Sequence, residues 1–156
     1  MKGKRMWSTS PPPLSHHALG QSMTNSAFLR RYARRLLRDA RSPEASKAMP
    51  VLRRIAAAKL VPEMRLSDLF ACRTTLQLKH VLHMLARELN FPAWEICMRQ
   101  VDCAAPSVLD RYRLELGMFG DHEKNWFADY GTALTWQREH GGYLVRYGEQ
   151  TVAILA

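Results

Sequence analysis

Apolar residues recur most regularly between Thr74 and Val101. Leu78, Val81, Leu82, Leu85 and Leu89 fall three and four positions apart, which puts them on one face of a helix, with Ala86 beside them. Asn90 then suits a left-handed cap, because a short polar side chain tolerates positive φ. Phe91 can fold back on the last turn. Pro92, with no N–H to lose, suits the opening of a second helix carrying Trp94, Ile96 and Cys97. The pattern predicts a helix-turn-helix over 74–101, with the rest of the chain organised around it.

Upstream, Ser22 to Ser26 offers several capping side chains, and Leu29, Ala33, Leu36, Leu37 and Ala40 form a helical stripe. Ser42-Pro43-Glu44 signals a second helix start, with Val51, Leu52, Ile55, Ala56 and Leu60 inward, a bend near Pro50 and a break at Val61-Pro62-Glu63. Ser67 to Phe70 reads as a short helical turn. Downstream, Cys103 to Ser107 is a linker containing Ala104-Ala105-Pro106. Residues 107–116 fit a short helix through Val108, Leu109 and Tyr112, or a strand in which Tyr112, Leu114 and Leu116 alternate. After a polar loop over 117–124, Trp126, Ala128 and Tyr130 alternate as a strand does. A helix over Thr132 to His140, with Leu134 and Trp136 inward, is ended by Gly141-Gly142. Two strands follow, Tyr143 to Tyr147 and Gln150 to Leu155, joined by the two-residue turn Gly148-Glu149.

These elements predict an α+β protein. It comprises a basic disordered tail over 1–23, a module of three to four helices over 24–105, and a small β-α-β-β unit over 106–156. A three-stranded sheet with one helix leaves a face uncovered, so the sheet is expected to pack on the helical module or on a second copy, a homodimer formed through the C-terminal strand.

The 156 residues, 47% hydrophobic, suffice for one sizeable core or two small ones. No apolar run approaches the ~18–20 residues that span a bilayer, and the basic N-terminus lacks the apolar stretch of a secretory signal. Cys72, Cys97 and Cys103 form no C-x-x-C pair, so a reducing cytoplasm is expected. The net charge of +9 is unevenly placed. Residues 1–60 hold 13 Lys and Arg against Asp39 and Glu44, a surplus of +11, and the remaining 96 residues carry −2. An acidic partner therefore meets the first part of the chain.

That charge is densest on the first helix, where Arg30, Arg31, Arg34, Arg35, Arg38 and Arg41 surround the apolar stripe with only Asp39 to offset them. Such cations repel one another unless something acidic lies alongside, and the planar guanidinium suits phosphate recognition. Lys79, His83 and Arg87 form a second polar row, at i, i+4 and i+8 of the central helix. These nine residues are the candidate nucleic-acid contacts, and no cofactor is implied. His80 and His83 lie one turn apart but lack the Glu and third ligand of H-E-x-x-H, and adjacent His16 and His17 read as part of a solvated tail. The cysteines read as small buried hydrophobes or linker residues, and the tryptophans other than Trp7 as core.

The run His80, Leu82, Leu85-Ala86-Arg87-Glu88-Leu89, Phe91, Trp94 resembles a helical module, A-R-E-x-x-F-x-x-W, of uncharacterised bacterial proteins, some related to the glyoxalase superfamily and others carrying ankyrin repeats after it. The arginine-rich Tyr32 to Leu37 resembles the leader of the same module, so the likeness covers residues 26–101. Asn90 stands where glycine is usual, and Pro92-Ala93 where a serine cap is usual. The resemblance implies a fold unit and no catalytic residue. A glyoxalase-type metal enzyme would draw on His122, Glu123 and His140. The expected function is instead non-enzymatic: docking of the arginine helix on nucleic-acid phosphates, or, as the alternative, a regulatory subunit on an acidic protein surface.

Overall fold

The computed structural model describes residues 6–14, 23–59 and 64–156. His16, His17, Ser22, Leu60 and the break at Val61-Pro62-Glu63 lie outside them. The protein is α+β, with helices first and a three-stranded antiparallel sheet last, and it divides into two units, Met23–Ala105 and Pro106–Ala156, the second also taking in the N-terminal residues.

The helical unit contains α1 (Asn25–Ala40), α2 (Ala45–Ala57), α3 (Leu66–Ala71), α4 (Leu78–Glu88) and α5 (Trp94–Asp102), with one 3-10 turn at Arg73–Thr75. Helix α1 packs on α2, α4 and α5, and α4 in turn packs on α2 and α5. Its stripe buries Phe28, Leu29, Tyr32, Ala33, Leu36 and Ala40, and each large apolar side chain so buried contributes about 1.5–3 kcal/mol. Thr24 starts the helix by accepting the Ala27 N–H on Oγ1 at 3.2 Å. Asn25 and Ser26 then lock it to the end of α5. Asn25 Nδ2 donates to the Val101 carbonyl at 2.7 Å, and Asp102 accepts from the Ser26 amide at 2.8 Å and hydroxyl at 2.7 Å.

The turn between α4 and α5 forms as its sequence predicts. Asn90 has φ +68°, and the Phe91 N–H returns to the Ala86 carbonyl at 2.8 Å, closing α4 across a left-handed residue. Trp94 opens α5 but is only half-buried, and Ile96 is 43% exposed, so of the three residues expected inward only Cys97 is in the core.

The second unit begins with a 3-10 turn, Pro106–Leu109, and continues with α6 (Asp110–Glu115), β1 (Glu123–Phe127), α7 (Tyr130–His140), β2 (Tyr143–Tyr147) and β3 (Gln150–Leu155). Residues 107–116 are thus helical. The strand order is β1-β3-β2, with Trp126 opposite Val152 and Val152 opposite Val145. The C-terminal strand is therefore the centre of the sheet, paired on both sides, and any strand pairing with a second copy falls to β1 or β2. The open face expected of a sheet with one helix is also filled from within the unit. Phe119, Leu114 and Tyr143 pack with Val145, Val152 and Ile154 on one side, and α7 lies on all three strands on the other. Every β3 residue after Gln150 is accordingly buried. Trp126 departs from the core assignment; on the edge strand β1 it is 47% exposed and meets Tyr147 edge-on at 5.9 Å.

Residues 6–14, expected to belong to a disordered tail, are held to this unit. The Trp7 N–H donates to the His140 carbonyl at 3.0 Å, the Trp7 carbonyl accepts from Gly142 at 3.2 Å, and the indole stacks on Trp136 at 6.0 Å. A side chain at Gly141, whose φ is +78°, would place its Cβ 1.9 Å from the Trp7 carbonyl oxygen, so this approach requires glycine. No helix among the described residues is long and apolar enough to cross a membrane.

Candidate nucleic-acid interface

The buried stripe of α1 leaves its arginines on the opposite face, and the structure sorts them. Arg31, Arg34, Arg35, Arg38 and Arg41 are exposed and Arg30 is half-buried. Arg30 Nη2 points at the Met98 sulfur at 3.0 Å, and its guanidinium lies 5.8 Å from the Trp94 ring centroid. Arg41 Nε donates to the Leu76 carbonyl at 2.9 Å, and its Nη2 reaches the same oxygen, which ties the end of α1 to the residues before α4. Arg34, Arg38 and Arg41, with Leu37, Ser42 and Leu78, line an open hollow of about 390 Å³. No carboxylate lines it. Arg34 and Arg38 are one turn apart, about 6 Å along the axis.

The row Lys79, His83 and Arg87 lies on the outer face of α4, away from Val81, Met84 and Leu85. It does not form one surface. Lys79 and His83 line a hollow of about 390 Å³ with His80, Leu82, Trp94 and Glu95. Arg87 belongs to another, of about 480 Å³, with Arg53, Arg54, Lys59 and Glu88 at the end of α2. Arg53 and Lys59 are thus surface residues that sequence reasoning did not single out, and Trp94, read there as core, lines a surface hollow. The basic doublet Arg53-Arg54 is plain in the sequence, but only folding brings it beside Arg87, 34 positions from Arg53. Lys59 sits there because the chain leaves α2 with φ +55°, a conformation unusual outside glycine, and its charge complements the helix C-terminus.

His80 and His140 are otherwise engaged. His80 Nδ1 accepts the Gln77 N–H at 2.9 Å and so closes the first turn of α4. His140 stacks on Trp136 at 4.5 Å, its Nδ1 3.1 Å from the Trp136 carbonyl. His122 precedes β1 and Glu123 begins it, and among the described residues no three His, Cys, Asp or Glu side chains gather to hold a metal.

Burial shifts the titration of Cys97, Asp110 and Tyr143, and all three are structural. Burial, reinforced by the Asp102 charge, pushes the Cys97 thiol up to about 11, so it is a neutral core side chain at physiological pH. Asp110 pairs with Arg113 at 3.1 Å and accepts a hydrogen bond from the Tyr143 hydroxyl, joining α6 to β2. Burial pushes its carboxyl above the ordinary value of 3.8, against the opposing pull of Tyr143 and Arg113. Burial and the Asp110 carboxylate push the Tyr143 phenol up in turn.

Comparison with family models, curated proteins and solved structures finds no match.

Proposed function

We propose that this is a small cytoplasmic bacterial binding protein that performs no catalysis and docks α1 on the phosphates of a nucleic acid. One observation carries the reading: Arg34 and Arg38 stand exposed one turn apart, in a hollow that no carboxylate lines. The charge surplus of the first 60 residues supports it, since a field of that sign concentrates a polyanion at this end of the chain. Arg31 and Arg35 extend the surface. Arg30 is half-buried beside Met98, and the Arg41 guanidinium is held by the Leu76 carbonyl at the rim of the hollow.

The test is fluorescence anisotropy of labelled mixed-sequence RNA and DNA with the wild type and with Arg34→Glu/Arg38→Glu, at two salt concentrations. Salt-sensitive binding that the variant loses is the expected result. No binding by folded wild type at low salt overturns the reading and turns attention to an acidic protein partner.

A further inference from the structure

We propose that the hollow at the α4–α5 junction holds an unpaired base stacked on Trp94, so that the nucleic acid this protein binds is single-stranded. This rests on the phosphate reading of α1 and adds to it the form of the partner.

Trp94 is the starting point. A tryptophan at the first position of a surface helix costs solvation unless its face is used, and this one is half-buried, lining a hollow open to solvent. Of its neighbours, Arg30 stands over the ring at 5.8 Å, Lys79 and His83 come from the outer face of α4, and Glu95 follows it in the chain. Glu95 decides what the hollow suits. A carboxylate there repels a phosphate but accepts a hydrogen bond from an exocyclic amino group of a base, while Lys79 can reach the adjoining backbone. The hollow lined by Arg34, Arg38 and Arg41 has the complementary character, cations without a carboxylate.

The two hollows share helix α4, and Arg30 of α1 stands over the Trp94 ring that lines one of them. Arg30, over Trp94, and Arg34, in the phosphate hollow, are one turn apart on α1, a rise of about 6 Å. Leu78 lines one hollow and Lys79 the other. A base position beside Trp94 and a phosphate position beside Arg34 are thus linked through α4 and through adjacent turns of α1. Duplex bases are stacked within the helix and unavailable to Trp94. In a single strand every base presents a face, and a stacking platform beside a basic track binds it with little regard to sequence.

The full chain is titrated with a labelled 12-nucleotide strand as RNA and as DNA, the same DNA as a duplex, and an abasic DNA strand of equal length. Wild type is expected to bind the base-bearing single strand, with either sugar, about 5- to 100-fold more tightly than the abasic strand or the duplex. Trp94→Ala should reduce it to the abasic level, and Trp94→Phe should retain most of the difference, with circular dichroism confirming that both variants fold. Equal wild-type affinity for base-bearing and abasic strands overturns the inference, and that comparison needs no variant. Tighter binding to the duplex overturns it too. If Arg34→Glu/Arg38→Glu abolishes binding of every strand while bases make no difference, the phosphate reading stands and the Trp94 site falls. If no strand binds at low salt, both fall.

Discussion

Arg54 faces Glu88 across α2 and α4 with two parallel hydrogen bonds, Nε to one carboxylate oxygen at 2.8 Å and Nη2 to the other at 2.7 Å. Its Nη1 donates to the Tyr32 hydroxyl at 2.9 Å, and the guanidinium lies 5.6 Å from the Tyr32 ring centroid, so one cation joins three helices. The pair is largely withdrawn from water, the side chains being 21% and 15% exposed. Glu88→Gln should lower stability by about 2 kcal/mol, the scale of hydrogen bonds to a charged group. Affinity for nucleic acid should hold or rise, because the change adds net positive charge. Urea denaturation and anisotropy on the same preparation check both halves, and unchanged stability would show that the bidentate geometry contributes nothing.

The salt dependence of binding counts the cations that act. With Arg31, Arg34, Arg35 and Arg38 as the α1 arginines that meet phosphate, log K should fall against log salt with a slope near about −3 for a single strand. Arg41→Ala should leave that slope in place while lowering stability by about 1 kcal/mol, since its guanidinium holds the Leu76 carbonyl. A slope near zero would mean that phosphates are not what α1 meets.

The Asp110 carboxyl titrates higher in the folded protein than its ordinary 3.8, so the folded state holds that proton more tightly. The resulting stabilisation is full below about 3.8 and is lost as pH rises through the folded value. Asp110→Asn, which cannot ionise, should therefore gain on the wild type between pH 3 and pH 6 in urea midpoints. Tyr143→Phe acts in the opposite sense at neutral pH, costing about 1.5–3 kcal/mol by removing a donor to a charged acceptor. A constant difference between wild type and Asp110→Asn across that range would refute the assignment.

Gly141→Ala should detach the Trp7 segment, because the new methyl group occupies the place of the Trp7 carbonyl oxygen. Loss of the Trp7–Trp136 stack then appears in near-ultraviolet circular dichroism, and Trp7→Ala should give the same loss. Retained dichroism in Gly141→Ala would place the segment elsewhere.

What could be read in the sequence followed from local physics. The period of Leu78 to Leu89, the left-handed Asn90, the paired glycines after α7 and the Gly148-Glu149 hairpin each depend on neighbours within a few residues, and the α+β class and most elements came out as expected, although the strand read through Trp126, Ala128 and Tyr130 runs instead over Glu123–Phe127 and Tyr130 opens α7. What was misread depends on partners far along the chain. Residues 107–116 satisfy both periods, so the sequence left helix and strand open there and gave no cover for the sheet face that α6 and Phe119 in fact fill. The sequential order of the strands suggested a free C-terminal edge, whereas pairing places β3 between the other two. For the candidate site, the exposed arginines of α1 were legible because one helix face suffices to reveal them. The division of Lys79, His83 and Arg87 between two hollows, and the place of Trp94 in one of them, were not, because they depend on where α2 and α5 come to rest.

The strand order also sets a schedule. On a ribosome the helical unit is a continuous run, complete in sequence by Ala105, and it can fold while later residues are still being added. The sheet has no such freedom, since the only strand that β1 and β2 pair with is β3, and they have no strand partner until it emerges. Trp7 waits too, since it docks on His140 and Gly142, which follow it by more than a hundred residues. During synthesis two strands and an indole are therefore exposed together, and the seconds before β3 appears are when this chain is most open to aggregation.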